Sequence, residues 1–444
     1  MKRWLALATG ALALTLTATA ARADADAYQT LPAELSLDKA LQIGRMLQPQ
    51  RREAQAQVDA AHARVDEAVS NLLPQVNANA SYSRATLNPT PQMNGSTSNF
   101  IPPAPSWNTF NFWRSGLSAT QLIYDFGQTW QKQKASRASA EQQEDSERFT
   151  QLTSDLAIRA AFYTARAARD AVGVARETLA NQNKHVEQIQ AFTEVGTRPE
   201  VDLLQARTDQ ANAEVTLINA QNDYATARAL LNQAMGVEAP ATYEVTGEAS
   251  PPLTGEEAPL ETLVDEALRA RPDVAAKIAA LRAQDLNNKA TEGRYGPTLN
   301  AVTGLTYNGP ELGNLVWNWS GGFTLSWALF EGGNVRASVR EGNALSAAAR
   351  AEVDIARQQA RVEVDQARLT IIAGKAAIAA AERSLANAKA RLDLAEVRYR
   401  TGVGNGIELS DAQLAATNAG FQRLQALLKL DTARAQLQKA LGRP

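Results

Sequence analysis

An apolar residue falls at every seventh position from Val364 through Ile371, Ile378, Leu385 and Leu392 to Tyr399. A hydrophobic spacing of ~3.5 residues per turn keeps one seam of a helix against a neighbour over a long distance. The intervening Ala, Arg, Glu, Asn and Lys residues are helix formers of little bulk or high propensity. Thr401-Gly402-Val403-Gly404-Asn405-Gly406 then stops the helix, and a second helical stretch runs from Glu408 to Leu441.

The same device stands 206 residues earlier: Gly196 matches Gly402, Asp202 matches Glu408, and Met235-Gly236 matches Leu441-Gly442. Leu179 and Val186 likewise match Leu385 and Leu392. A repeat of roughly 200 residues is too long for a solenoid unit. It predicts an internal duplication: one fold of two similar halves, rather than the two or three domains that 444 residues otherwise imply.

Composition narrows the function. A net charge of −2 gives no electrostatic footprint for nucleic acid. The absence of cysteine excludes a disulfide, a thiol nucleophile, a zinc–thiolate site and a lipid-modified N-terminal Cys. His62 and His185 lie far apart in helical stretches and read as solvated helix-face residues, so no metal and no cofactor is expected. Lys2-Arg3, an apolar run from Trp4 to Leu16 and Ala21-Arg22-Ala23 form a signal-peptide pattern with cleavage after Ala23. A retained anchor fits less well, because the run is too short to span a bilayer.

Expected domains are the signal peptide (1–23), a first repeat (24–236), a linker (237–259) rich in Pro and Gly, and a second repeat (260–444). Residues 24–36 read as irregular, and one helix is expected from Ser36, an N-cap candidate, to Leu73. From Gln75 the pattern changes to alternation, with Val76, Ala78, Ala80 and Tyr82 opposite Asn77, Asn79, Ser81 and Ser83. Period two predicts a strand. Asn88 to Pro105 reads as a long loop, and a second strand follows from 106 to 125. The second half repeats the plan, with a helix at 259–295 and strands at 298–308 and 317–331. Every Trp beyond the signal peptide lies in 107–130 or 317–327. Trp and Tyr concentrate at membrane–water interfaces; a soluble β-core would also use them.

Four strands cannot close a membrane barrel, and open edges in a bilayer would leave backbone groups unpaired. Such a chain therefore has to oligomerise, and composition leaves open whether two copies close eight strands or three close twelve. Gly127 to Gly196 and Gly333 to Gly402 each span 69 residues, about 104 Å of helix at ~1.5 Å per residue. Heptads permit both a tube and a solid bundle; the strand pairs favour the hollow form.

At this point the chain resembles the TolC-type outer-membrane efflux family. The residues that carry the resemblance are the junctions Gln121-Leu122-Ile123-Tyr124-Asp125-Phe126-Gly127 and Trp327-Ala328-Leu329-Phe330-Glu331-Gly332-Gly333. The turns Val195 to Arg207 and Tyr399 to Asp411 add to it. The resemblance implies an α+β membrane protein, a homotrimer whose 12-stranded β-barrel takes four strands from each chain. That barrel would be continuous with a long periplasmic α-helical barrel. It implies the outer membrane of a Gram-negative bacterium, contact with outer-membrane lipid, a periplasmic adaptor (membrane fusion protein) and an inner-membrane pump.

The resemblance also implies residue roles. Tyr399 matches a pore-narrowing Tyr, Glu408 and Asp411 stand at two acidic positions, and Gly404 replaces an Arg of the pattern. In the first half Arg198, Asp202 and Gln205 take the equivalent places. Two readings stay open for each. Glu408 and Asp411 would form acidic rings in a threefold pore or serve as helix N-terminal acids. Tyr399 would brace the mouth or fill a heptad core. Adaptor docking is expected at Gly196, Thr197, Arg198 and Pro199 and at Gly402, Val403, Gly404, Asn405 and Gly406. An aromatic belt is expected at Trp107, Trp113, Tyr124, Trp317, Trp319 and Trp327. The expected role is an exit duct for small-molecule (drug or metal) efflux. The alternatives are the outer-membrane channel of type I protein secretion and a pore-less periplasmic coiled-coil scaffold. No triad-like arrangement, HExxH or phosphate-binding glycine motif points to an enzyme.

Overall fold

The structure is a computed structural model that describes residues 32–86, 106–247 and 250–444. The expected signal peptide and the loop Asn88–Pro105 lie outside the described residues. The chain packs into two units. The first is Met1–Ala56, Asp145–Ala275 and Ile355–Pro444, and the second is Gln57–Glu144 and Ala276–Asp354.

In chain order the elements are β1 (Glu34–Leu35), α1 (Leu37–Leu47), α2 (Pro49–Ser70), β2 (Gln75–Thr86) and β3 (Thr109–Tyr124). Next come α3 (Gln128–Glu194), α4 (Glu200–Met235), β4 (Glu244–Val245), α5 (Leu260–Ala270) and α6 (Pro272–Glu292). Then follow β5 (Thr298–Gly309), β6 (Val316–Ser326), α7 (Asn334–Arg400) and α8 (Gly406–Ala440). No helix among the described residues is long and apolar enough to cross a membrane.

Three expectations need correction. The single helices expected at 36–73 and 259–295 are each broken in two, at Gln48–Pro49 and Arg271–Pro272. A residue before proline is pushed out of the helical region, and Gln48 (ψ 116°) and Arg271 (ψ 121°) are extended. Residues 24–36 are not wholly irregular, because β1 pairs in parallel with β4. The strand expected at 317–331 ends at Ser326, opposite Thr298. Pro297 precedes Thr298 and has no N–H to continue the ladder. Ser36 does cap α1, its Oγ accepting from the Lys39 N–H at 3.5 Å.

In the first unit, α1 packs Ala40, Leu41 and Ile43 against Ile158 and Phe162 of α3 and Leu231 and Met235 of α4. A second core joins Leu263, Val264 and Ala267 of α5 to Val364 and Ile371 of α7 and Leu437 of α8. These cores match position by position: Leu231 and Leu437 are 206 apart, as are Ile158 and Val364. Gly44 lets α1 approach α3 closely, since a Cβ there would lie 2.2 Å from Ile158 Cδ1.

The second unit holds one four-stranded sheet in the order β2-β3-β5-β6, antiparallel throughout. The two halves of the chain meet in the middle of this sheet, at β3 and β5. Register gives the faces. Ala78, Leu117, Leu305 and Trp319 lie side by side, as do Val76 and Ala119, and Ala301 and Phe323. The opposite face carries Asn77, Ser81, Ser118, Thr306 and Asn318. The apolar face is solvent-exposed, with Leu117, Trp319, Phe323 and Leu325 all uncovered. Neither β2 nor β6 has a second strand partner among the described residues. At the strand-to-helix junction Phe126 adopts φ 54° and its ring lies over Gly296. Asp125 Oδ2 accepts from the Thr129 N–H at 2.7 Å and caps the start of α3.

Candidate functional site at the helical turns and the sheet face

The turn α3–α4 and the turn α7–α8 are built alike. The Gly196 N–H donates to Thr193 O and the Thr197 N–H to Phe192 O, at 3.0 and 2.9 Å. The Gly402 N–H donates to Tyr399 O and the Val403 N–H to Arg398 O, at 3.1 and 3.0 Å. Both sets satisfy the last helical carbonyls in the same motif, which needs a left-handed residue; Gly196 (φ 73°) and Gly402 (φ 81°) supply it. Re-entry differs. Asn405 Oδ1 accepts from the Glu408 N–H at 2.7 Å, whereas Pro199 offers α4 no side-chain cap. Thr197, Pro199, Val403 and Asn405 are exposed, and Gly404 is buried against Arg398.

Tyr399 does not project freely. It is 2% exposed, in a cluster with Ile189, Ala206, Ala395, Leu409 and Ala412. Arg198 spans from the other turn, its guanidinium 4.5 Å from the ring centroid. The Arg198 Nη2 also donates to Tyr399 O at 3.4 Å and Gly404 O at 3.5 Å. His185 meets the ring edge-on at 5.3 Å. The Tyr399 hydroxyl is buried and has no hydrogen-bond partner among the described residues. Burial raises the Tyr399 pKa, against the pull of Arg198 and with a further push from Asp202. Burial lowers the His185 pKa, only partly offset by Asp209 and Asp202.

The acidic positions separate in character. Glu408 is half-buried and pairs with Arg398 at 3.5 Å. Asp411 is exposed and forms no ion pair among the described residues. Gln205 is exposed and its Nε2 donates to Asp209 Oδ1 at 3.0 Å. Asp209 Oδ2 accepts from Ser410 Oγ at 2.9 Å, tying α4 to α8. Asp209 was not among the expected residues, and His185, expected on a solvated helix face, is instead buried against Tyr399. The available signal for Asp209 was its place seven residues after Asp202, on the same helix face.

Behind the turns, α3 and α8 meet through polar pairs. Gln182 Nε2 donates to Gln413 Oε1 at 2.9 Å, and the Thr178 and Thr417 hydroxyls lie 3.1 Å apart. A cavity of about 500 Å³ opens beside them, with Lys389 and Glu396 of α7 in its wall. A smaller one, about 150 Å³, lies between His185, Tyr399 and Gln413. Among the described residues no group of His, Cys, Asp and Glu is placed to hold a metal ion.

On the sheet, Tyr82 and Trp113 pair with centroids 4.5 Å apart at the end nearest the β2–β3 connection. Trp317 lies beside Tyr307, and the Trp319 Nε1 donates to Thr303 Oγ1 at 3.1 Å. Tyr124 stands at the other end, beside Leu299. The Trp327 Nε1 donates to Tyr295 O at 3.0 Å, and Trp107 is almost fully exposed ahead of β3. Trp113 and Tyr124 are separated by about 36 Å of strand at ~3.3 Å per residue.

The outer membrane efflux protein family model matches residues 44–237 and 263–443. Two proteins of Pseudomonas putida are each 26% identical over 296 residues, 66% of this chain and 60% of their own length. One is named toluene efflux pump outer membrane protein TtgF; the other, from a second strain, is named probable efflux pump outer membrane protein SepC. Among solved structures, the outer-membrane channel OprN aligns with a TM-score of 0.79 at 20% identity, covering 92% of this chain and 90% of its own. CusC aligns at 0.80 and 19%, covering 92% of each chain. VceC of Vibrio cholerae aligns at 0.78 and 16%, covering 92% of this chain and 96% of its own. By the match of sequence along most of its length, the chain belongs to the outer membrane efflux protein family.

Proposed function

We propose that three copies of this chain form the outer-membrane exit duct of a tripartite efflux system, carrying small molecules (drugs or metal ions) outward. The observation that carries this reading is the sheet: one apolar face, one polar face and two edges without a further strand among the described residues. In a bilayer such edges must be satisfied by further strands, and three sheets would close twelve with the polar face inward. Trp113, Trp317 and Trp319 at one end, and Tyr124 and Trp327 at the other, would sit at the two lipid interfaces, with Trp107 beyond the first. The match to a protein named as a toluene efflux pump component favours small molecules over secreted proteins as cargo.

The helical turns would be the periplasmic entrance. Exposed Val403 and Ile407, and Val195 and Val201, flank the two turns as apolar contacts for an adaptor that hands over cargo from an inner-membrane pump. Arg198, Tyr399, Asp202 and Gln205 would hold that entrance closed, and Glu408 and Asp411 would set its charge. The test places a photo-crosslinker on Thr197→Cys, the chain having no other cysteine. Capture of the adaptor of a proton-driven pump supports the reading. Capture of the adaptor of an ATP-driven secretion transporter moves the cargo to proteins. No capture from abundant, membrane-bound protein contradicts the docking role.

A further inference from the structure

We infer that Arg114 is the charge-selecting residue of the membrane-crossing section, one guanidinium per chain on an otherwise uncharged inner face that favours anionic solutes. The inference rests on the proposed assembly with the polar face inward. Only two charged side chains occur between Gln75 and Tyr124, Arg84 and Arg114, and only Glu311 occurs between Thr298 and Ser326. The register divides them. Arg84 shares the face of Tyr82, where its Nε donates to Thr109 Oγ1 at 2.7 Å. Glu311 lies in the turn between β5 and β6, off the strands. Arg114 alone stands on the polar face, exposed, between Ser81 on β2 and Asn308 on β5.

Its neighbours leave that charge uncompensated. Ser81 and Asn308 are neutral, and Arg114 forms no ion pair among the described residues. Its guanidinium lies 5.5 Å from the centroid of the Phe112 ring. The segment that joins β2 to β3 carries no charged residue that could neutralise it. The remaining polar-face positions are hydroxyls, amides, glycines and a few apolar side chains, which offer hydration but no net field. A ring of like charges on a neutral wall raises the local concentration of the opposite charge and repels its own sign. The solute class favoured at this level of the duct is organic or inorganic anions, and a metal ion among the proposed cargo would meet its electrostatic barrier here.

The test uses thiol reagents of opposite charge on the full-length protein in outer membranes. Ser118→Cys places a single thiol on the same face of β3, four residues from Arg114. Relative to each reagent's rate with a small free thiol, a negatively charged methanethiosulfonate should react with it about fivefold faster than a positively charged one at physiological ionic strength. Arg114→Ser should remove that preference, and Arg114→Lys should restore it. A preference unchanged in Arg114→Ser overturns the assignment to Arg114. Leu117→Cys, on the apolar face, should stay unreactive in both backgrounds. A reactive Leu117→Cys with an unreactive Ser118→Cys would instead overturn the inward placement of the polar face.

Discussion

The guanidinium of Arg198 lies 4.5 Å from the centre of the Tyr399 ring, and the two residues come from different helical turns. Arg198 is the position 206 residues before Gly404, whose carbonyl it also reaches. The first turn thus supplies the cation that the second turn lacks. A cation over a partly desolvated ring contributes ~0.5–2 kcal/mol. Arg198→Ala should speed hydrogen exchange at residues 396–404 by about tenfold and increase single-channel conductance. Arg198→Lys should fall between. Exchange unchanged in Arg198→Ala would remove this contact from the account of the closed entrance.

Tyr399→Phe should leave stability unchanged or slightly higher. The hydroxyl is buried without a partner, so its removal relieves a desolvation cost instead of breaking a bond. Tyr399→Ala should cost about 3–5 kcal/mol through the cavity left among Ile189, Leu409 and Ala412. Thermal unfolding and local hydrogen exchange separate the two variants.

His185 makes the turn region sensitive to acid. Its pKa is lowered in the folded state by burial, so the unfolded or opened form takes up the proton more readily. The contribution to stability is complete above about pH 6.5, the ordinary histidine value, and is lost as pH falls below it. Facing His185 are Asp202 and Asp209 from α4 and Glu396, Tyr399 and Arg400 from α7, while α8 presents Leu409 and Gln413. The protection factors of amides near residues 182–189, with the intrinsic base catalysis of exchange divided out, should fall between pH 7.5 and pH 5, and His185→Gln should flatten that dependence.

Glu256 anchors the segment before α5. Burial pushes its carboxyl up, but Arg434, Lys375 and the Leu253 N–H together draw it down to about 2. Its stabilisation is present above the ordinary carboxylate value and disappears as pH falls toward 2. Arg434→Ala should cost about 3 kcal/mol, because it leaves a buried carboxylate with only Lys375 and the Leu253 N–H beside it. The loss should show in chemical denaturation at pH 7 and shrink at pH 3.

Much of this fold was legible because two periods carry it. Seven-residue spacing marked α3 and α7, and two-residue alternation marked β2 with its apolar and polar faces. Pro49 and Pro272 were harder to read as breaks, because the apolar pattern continues across them and only the preceding residue leaves the helix. β1 and β4 escaped because two residues have no period. At the turns, Gly196 and Gly402 were readable from chemistry alone, since both need a left-handed backbone. The contacts Arg198–Tyr399 and Asp209–Ser410 join helices about 200 residues apart, and no local pattern encodes them.

Covalent linkage of the sheet edges tests whether three chains close one barrel. Asn77→Cys on β2 and Ser320→Cys on β6 place one thiol at each edge of the same sheet. Within one chain these strands are three spacings apart, about 14 Å, so a reagent of ~8 Å links only neighbouring copies. Three sheets closed into one barrel should give covalent products of two and three chains in outer membranes and nothing larger, with each single-Cys variant giving none. A ladder that stops at two chains, or no linkage from protein that is folded and membrane-bound, would contradict the closure of three sheets into one barrel.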